Sequence, residues 1–135
     1  MGRFTGFRPE TLEFFMALGM NNSKPFFEAH RYEYETYVLQ PMRDLAFDLA
    51  PTMLDIDGQF DARPVIGGAI SRIYRDARRV RGGPPYRNYL WLSYRRKQEG
   101  NRLGFYYDIG EDSSSLGLGI FEADSAYMKQ LWTYI

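Results

Sequence analysis

The sequence has 135 residues, of which 44% are hydrophobic and 25% charged, with 17 basic and 17 acidic residues. This length and composition predict one domain over residues 1–135 and exclude a wholly disordered chain. No apolar run approaches the roughly 20 residues of a membrane span, so a transmembrane protein is excluded. The sequence contains no cysteine, which excludes disulfides, thiolate nucleophiles and the usual structural zinc sites. The N-terminus has no apolar stretch of the signal-peptide type, so the cytoplasm is the expected location.

The N-terminal part of the chain predicts helices. Pro9 suits a first helical turn, and Asn21-Asn22 ends that helix because Asn tolerates a left-handed backbone. Ser23 is expected to cap a second helix with Pro25 in its first turn. Pro41 breaks or restarts the pattern, which then continues at helical spacing. Apolar residues cover most of the first helix, so it is expected to be largely buried, in a core that contains Leu12, Phe15, Phe26, Phe27 and Tyr34.

The C-terminal half predicts strands near 88–96, 102–109 and 115–121, the last with glycines where its second face meets a neighbour closely. A final helix is expected from Asp124 or Ser125 to Ile135, packing back on the sheet. The predicted fold class is therefore α+β: N-terminal helices followed by an antiparallel sheet of three or more strands and a C-terminal helix.

Charge is segregated along the chain. Residues 1–62 hold 5 basic and 10 acidic groups (net −5), residues 63–102 hold 11 and 2 (+9), and residues 103–135 hold 1 and 5 (−4). Like charges that cluster in this way repel one another and destabilise the folded state, unless an anion binds there or the protein's own acidic segments fold over them. Both interpretations are open.

The middle block contains the candidate anion site. Arginine holds phosphate or carboxylate through two parallel N–H donors, and a glycine pair lets backbone N–H groups approach an anion. The candidate binding residues are Arg72, Arg75, Arg78, Arg87, Gly82 and Gly83. For residues 70–78, helical spacing and an extended chain fit equally well. The segment has no Gly-Lys-Ser or Gly-Lys-Thr, so it is not a Walker loop.

Three residues are candidate proton carriers or orienting groups. His30 is the only histidine and exchanges protons near neutral pH, but a ring packed at the core edge is the commoner situation. Asp76 lies among arginines and is expected to stay ionised, either orienting them or clamping two segments together. Tyr74 has a hydroxyl near the arginines, although packing explains most tyrosines. No pattern indicates a metal site or a cofactor.

Three motif regions resemble a widespread bacterial family of uncharacterised proteins, the domain of unknown function 2461. They are Phe4–Phe7 with Asn21-Asn22, Phe27–Arg31, Tyr34-Glu35 and Pro41; Arg63-Pro64 with Ile70–Arg78 and Pro85–Arg87; and Gly117–Phe121. The family has no established activity. Its members usually carry a Lys-Asp-Lys pattern where this sequence has Arg79–Gly83. Its members also run longer, so the resemblance implies either a truncated member or a natural short form.

Three functions follow from these patterns. The first is a binding module for an anionic or phosphate-bearing small molecule. The second is an enzyme whose anionic transition state is stabilised by the arginines, with His30 or a tyrosine as proton carrier. The third is a nucleic-acid or protein interaction module, for which the aromatic and basic residues 86–97 are the only support. Leu131, Trp132 and Ile135 are apolar and lack a capping residue, which predicts self-association as a homodimer or docking within one chain.

Overall fold

A computed structural model describes residues 2–75, 83–96, 103–112 and 114–120. Helices form the N-terminal part, and a three-stranded antiparallel sheet follows, which confirms the α+β prediction to that extent. The predicted C-terminal helix lies outside the described residues. The helical elements are α1 (Pro9–Met20), α2 (Lys24–Ala29), α3 (Arg31–Glu33), a π-helical turn (Tyr34–Leu39) and α4 (Gln40–Ile56).

The first helix begins and ends where the sequence predicts, whereas the second begins at the predicted cap but already ends at Ala29. Pro9 lies in the first turn of α1, and the backbone N–H of Asn21 donates to the carbonyl of Ala17 at its end. Asn21 is not left-handed, however: its φ of −142° is an ordinary extended value. The Ser23 hydroxyl accepts a hydrogen bond from the Phe26 backbone N–H at 3.3 Å, which is the expected cap of α2.

Pro41 lies in the first turn of α4, where the helical pattern restarts, and it changes the local geometry. Its ring would clash with the carbonyl four residues earlier, and it has no N–H to donate to that carbonyl, which belongs to Tyr37. The π-helical turn, in which the Gln40 N–H donates to the Glu35 carbonyl, directly precedes it. The buried Thr11 hydroxyl of α1 donates to the Tyr37 carbonyl at 2.7 Å. A side chain of α1 thus replaces the missing backbone donor and ties α1 to the π-helical turn.

One face of α1 enters the core, and the others do not. Thr11, Phe14, Phe15 and Leu18 are buried, at the spacing of one helical face. Leu12 lies about 100° away from Thr11 and is 43% exposed, so its assignment to the core was wrong. Met16 and Met20 are exposed as well, and the expectation of a largely buried helix was therefore wrong. Of the other predicted core residues, Phe15, Phe27 and Tyr34 are buried and Phe26 is half-buried.

The sheet consists of β1 (Tyr89–Arg95), β2 (Leu103–Gly110) and β3 (Ser114–Ile120) in the order β1-β2-β3. These bounds confirm the three predicted strands. The register places Leu92 opposite Tyr107 and Tyr107 opposite Leu116, so these three side chains share the face that looks toward the helices. A Cβ at Gly117 would lie 3.0 Å from the Tyr106 hydroxyl oxygen, which is the close neighbour that the glycines predict.

The segment from Ala69 to Arg75 runs in extended conformation along the other edge of β1. The Ser71 N–H donates to the Trp91 carbonyl at 2.9 Å, and the Ser93 N–H donates to the Ala69 carbonyl at 2.8 Å. Ile70 and Ile73 are buried against the core. For residues 70–75 the structure therefore selects the extended alternative over the helical one. Within the described ranges, no helix combines the length and apolarity that a membrane crossing needs.

Candidate anion-binding site

The described arginines of the candidate site stand on a short pair of extended segments, residues 72–75 and 84–87, which we call the arginine ladder. The Arg75 N–H donates to the Pro85 carbonyl at 2.9 Å, and the Arg87 N–H donates to the Ile73 carbonyl at 2.8 Å. Two backbone hydrogen bonds therefore fix the spacing of the two segments.

A side chain from the helical layer holds the outer edge of the ladder. The Asn22 amide nitrogen donates to the Tyr86 carbonyl at 2.8 Å, and its amide oxygen accepts from the Tyr86 N–H at 3.0 Å. Asn22 thus pairs with Tyr86 as a neighbouring strand would. The sequence predicts no such contact for Asn22, because a contact across 64 residues leaves no local pattern.

Arg87 is held by neutral partners. Its Nη1 donates to the carbonyls of Arg72 at 2.7 Å and Tyr74 at 3.1 Å, and its guanidinium carbon lies 4.6 Å from the centre of the Trp91 ring. Carbonyls and an aromatic face orient a guanidinium without cancelling its charge. The Nη1 of Arg75 lies 3.5 Å from the Pro84 carbonyl, at the limit of a hydrogen bond, and Arg72 is exposed.

The arginines of the ladder differ from several others in the molecule. Arg31 pairs with Glu28 at 2.9 Å, Arg63 with Asp61 at 2.7 Å and Arg96 with Asp57 at 2.7 Å. In the part of the chain that the structure describes, no carboxylate forms such a pair with the ladder residues Arg72, Arg75 and Arg87. Their charges are thus not neutralised by any described acidic group.

Aromatic rings form the base of the ladder. Tyr86 is buried and stacks on Phe27 with ring centres 4.4 Å apart, and Tyr74, 49% exposed, lies 5.3 Å from Tyr86. Burial raises the pKa of the Tyr86 hydroxyl. The carboxylate of Glu28 and then the hydroxyl of Tyr74 raise the pKa of Arg31, so a further cation lies beside Tyr74. This cation already has Glu28 as its partner.

His30 lies elsewhere. Its ring stacks on Phe26 at 4.0 Å, and its Nδ1 lies 2.9 Å from the Phe26 carbonyl oxygen, so Nδ1 donates and Nε2 is the basic nitrogen of the neutral ring. The groove that His30 lines, of about 190 Å³, is also lined by Glu10, Glu13 and Glu33, and its described lining includes no arginine. We call it the His30 groove. The structure therefore does not bring His30 to the arginine ladder, and it places the ring as the packed alternative predicts.

The remaining candidates divide into described and undescribed residues. Tyr74 lies on the ladder, and Gly83 is exposed just before it. Asp76, Arg78 and Gly82 lie outside the described residues. Among the described residues no group of acidic and histidine side chains is arranged to hold a metal ion.

A second concave region lies away from the arginines, between α4 and the sheet. It has a volume of about 710 Å³ and an apolar lining. We call it the apolar groove and define it by three residues of α4 and three of the sheet: Leu45, Leu49, Met53, Phe105, Leu116 and Leu118. No arginine of the ladder lines it.

Comparison with known proteins supplies a family but no activity. No curated protein matches the chain, and no solved structure does. The model of a family described as a conserved hypothetical protein (DUF2461) matches residues 10–135. That span covers nearly the whole sequence, including all of α1 except Pro9, the ladder and the sheet. The chain therefore belongs to the DUF2461 family.

Proposed function

We propose that this protein is a binding module for an anionic small molecule that carries a phosphate or carboxylate group. Arg72, Arg75 and Arg87 of the arginine ladder are the described residues that hold it. The observation that carries the proposal is the absence of any described carboxylate partner for these three arginines, whereas Arg31, Arg63 and Arg96 each have one.

The rigidity of the ladder supports the proposal. A binding site loses less conformational entropy when its side chains are already oriented. The two carbonyls that hold Arg87, and the backbone bonds that join the segments, provide such orientation. We assign Arg78 and the Gly82-Gly83 pair to the same site on the strength of the sequence alone.

For the enzymatic alternative, Tyr74 lies on the ladder as a candidate proton carrier and His30 does not. A proton carrier must come within hydrogen-bond reach of the reacting group, and the three glutamates around His30 make the His30 groove unfavourable for an anion. Tyr74 is half-exposed on the ladder itself and is the residue through which an enzymatic function would act.

The test uses sulfate and inorganic phosphate as probes. At equal ionic strength each is expected to raise the Tm of the full chain more than chloride does. A ligand at 100 times its Kd adds about 2.7 kcal/mol to the free energy of unfolding. Arg75→Glu is expected to abolish the difference between the anions, because it puts a negative charge on the ladder.

Arg43→Glu is the matched control. Arg43 is an exposed arginine of α4 that does not belong to the ladder, and its replacement changes the net charge by the same amount. The anion difference should survive in this variant. Equal stabilisation by all salts in the wild type would contradict the proposal. Binding of a single-stranded oligonucleotide without any response to phosphate would favour the nucleic-acid alternative instead.

A further inference from the structure

We propose that the anionic ligand of the arginine ladder is a nucleoside monophosphate, whose phosphate lies on the ladder and whose base stacks on Tyr89 and Trp91. The inference rests on the proposed function, because it takes the ladder as the phosphate site, and it adds the chemical class of the rest of the ligand. It depends on an aromatic pair beside Arg87 and on a polar pocket next to that pair.

The aromatic pair lies on the face of the sheet that points away from the helices. Leu90 and Leu92 of β1 are buried in the core. Tyr89 and Trp91 alternate with them and therefore lie on the opposite face. Their rings stack with centres 5.7 Å apart and an angle of 30° between the planes. Tyr89 is 42% exposed and Trp91 is half-buried, so the pair offers an aromatic surface on which a base can stack.

Arg87 joins the aromatic pair to the ladder. Its guanidinium carbon lies 4.6 Å from the centre of the Trp91 ring, and its Nη1 donates to the carbonyls of two ladder residues. Arg87, Tyr89 and Trp91 are spaced two residues apart in extended chain, so they follow one another along one face. A phosphate bound by Arg87 therefore lies close to an aromatic surface. A nucleoside monophosphate has the matching arrangement of a phosphate, one sugar and a flat base.

A polar pocket of about 310 Å³ adjoins the aromatic pair on the side of β2. Its size lies at the lower end of the range for small-molecule sites, roughly 300–1,000 Å³. A Cβ at Gly110, the register partner of Tyr89, would lie 2.6 Å from the Tyr89 Cβ, so only glycine leaves room for this side chain. The pocket continues the aromatic surface and can take the edge of a stacked base. We define it by Asn88, Tyr89, Asp108, Glu111, Asp112 and Ser115.

The described side chains of the polar pocket mainly present acceptors. The Ser115 hydroxyl already donates to the Asp108 carboxylate at 2.8 Å, and the Asn88 amide nitrogen donates to the Glu111 carboxylate at 3.1 Å. Each carboxylate can accept further hydrogen bonds. The exocyclic amino groups of adenine, cytosine and guanine are donors that a carboxylate accepts. The pocket therefore favours a base with an amino group over uracil or hypoxanthine, which have a carbonyl in its place.

The two ends of this site carry opposite charge. The ladder contributes three arginines, and the polar pocket contributes the carboxylates of Asp108, Glu111 and Asp112. A mononucleotide has the matching distribution, with negative charge at one end and amino donors at the other. A polynucleotide has a phosphate on each side of every base, and the carboxylates would repel the second phosphate. The site therefore favours a single nucleotide over a strand of nucleic acid.

Calorimetric titration of the full chain with matched probes tests the inference. Adenosine monophosphate carries both phosphate and base, whereas ribose phosphate carries the phosphate alone. The nucleotide is expected to bind about tenfold more tightly than the sugar phosphate, because only the nucleotide has a base to stack. Cytidine monophosphate is expected to bind more tightly than uridine monophosphate, because its amino group donates to the carboxylates of the polar pocket.

Variants of the aromatic pair locate the base. Tyr89→Ala should reduce the ratio between the Kd of ribose phosphate and that of adenosine monophosphate to about twofold or less, because the base loses its stacking partner. Tyr89→Phe keeps a ring and should retain the full ratio. Tyr32→Ala is the matched control, because Tyr32 is a 70% exposed tyrosine of α3 that is not in the described lining of the polar pocket. This control should also retain the ratio.

The outcomes separate this inference from the proposed function. If phosphate and sulfate raise the Tm but adenosine monophosphate binds no more tightly than ribose phosphate, the nucleotide inference is wrong and the anion site stands. If adenosine monophosphate binds equally well to the wild type and to Arg75→Glu, the ladder is not its phosphate site and the inference is wrong. If neither phosphate nor the nucleotide binds, both proposals are wrong. Tighter binding of a single-stranded oligonucleotide than of the mononucleotide would overturn the inference in favour of the nucleic-acid alternative.

Discussion

The aromatic core around Phe27 and the arginine ladder meet at Tyr86, yet different forces hold them together. Phe27 is 1% exposed and contacts Phe14, Tyr34 and Tyr86 through ring pairs with centres 4.4 to 6.4 Å apart. That region is stabilised by burial of apolar area. The ladder instead depends on hydrogen bonds that Arg87 donates to backbone carbonyls and on the two hydrogen bonds between Asn22 and Tyr86.

This difference shows how a folded protein can orient arginine side chains and still leave their charge free to bind an anion. If carboxylates held Arg75 and Arg87, they would restrain the two guanidinium groups but would also cancel their charges. Carbonyls position a guanidinium while leaving its net charge in place. Variants of the core should therefore change stability alone, and variants of the ladder should change anion binding as well.

The largest expected effect on stability belongs to the core. Phe27→Ala removes a fully buried ring and leaves a cavity, which costs about 3–5 kcal/mol in the free energy of unfolding. Urea denaturation measures the change. Phe26→Ala is the neighbouring control and should cost less, because Phe26 is half-buried. A loss below roughly 1 kcal/mol for Phe27→Ala would mean that the ring does not pack as described.

The features that the sequence predicted correctly are those that depend on neighbours along the chain. Residues close in sequence determine these features. They are the cap at Ser23, the start of α1 at Pro9 and the three strands. The exposure of Leu12 was missed because nearly all of α1 is apolar, and such a helix has no face that composition alone selects. The buried polar residue Thr11 marks the true face, through a partner 26 residues away.

The ladder was predictable in its composition but not in its geometry. Arginines at 72 and 75 fit a helix and a strand about equally, and the choice depends on pairing with β1, which is distant in sequence. The role of Arg87 as a clamp requires knowing that the carbonyls of Arg72 and Tyr74 face it. The sequence leaves His30 open as a packed ring or a proton carrier, and its stacking on Phe26 depends on tertiary contacts that spacing does not encode.

An intermediate effect on stability is expected at Asn22, which joins the helical layer to the ladder. Asn22→Ala leaves the N–H and the carbonyl of Tyr86 without their side-chain partners, which costs about 1–3 kcal/mol. Because the ladder then loses its outer support, the extra Tm that sulfate gives over chloride should fall as well. Phe15→Ala, at a fully buried ring of α1 that packs on Phe14, should keep that extra Tm despite its larger loss of stability.

Asn22→Asp sharpens the comparison. Aspartate keeps an acceptor for the Tyr86 N–H, loses the donor to the Tyr86 carbonyl and places a negative charge near the arginines. It should lower the sulfate effect more than Asn22→Ala does. An unchanged sulfate effect in both variants would separate Asn22 from the anion site.

The smallest expected effect concerns pH and the N-terminal segment beside the apolar groove. The Asp48 carboxylate of α4 accepts hydrogen bonds from the backbone N–H groups of Arg3 at 2.8 Å and Phe4 at 2.7 Å, and these bonds lower its pKa. A carboxyl group whose pKa is lower in the folded state stabilises the fold above its unfolded pKa, and that stabilisation is lost as pH falls through the folded pKa. Acidification below about pH 4 should therefore release residues 3–4 from α4. Hydrogen exchange of the Arg3 and Phe4 amides, followed by NMR, measures the release.

Asp48→Asn keeps a neutral acceptor and should show weaker protection at pH 7 with little further change on acidification. Equal acid sensitivity in the wild type and in Asp48→Asn would assign the effect to other carboxylates, such as Asp57 paired with Arg96.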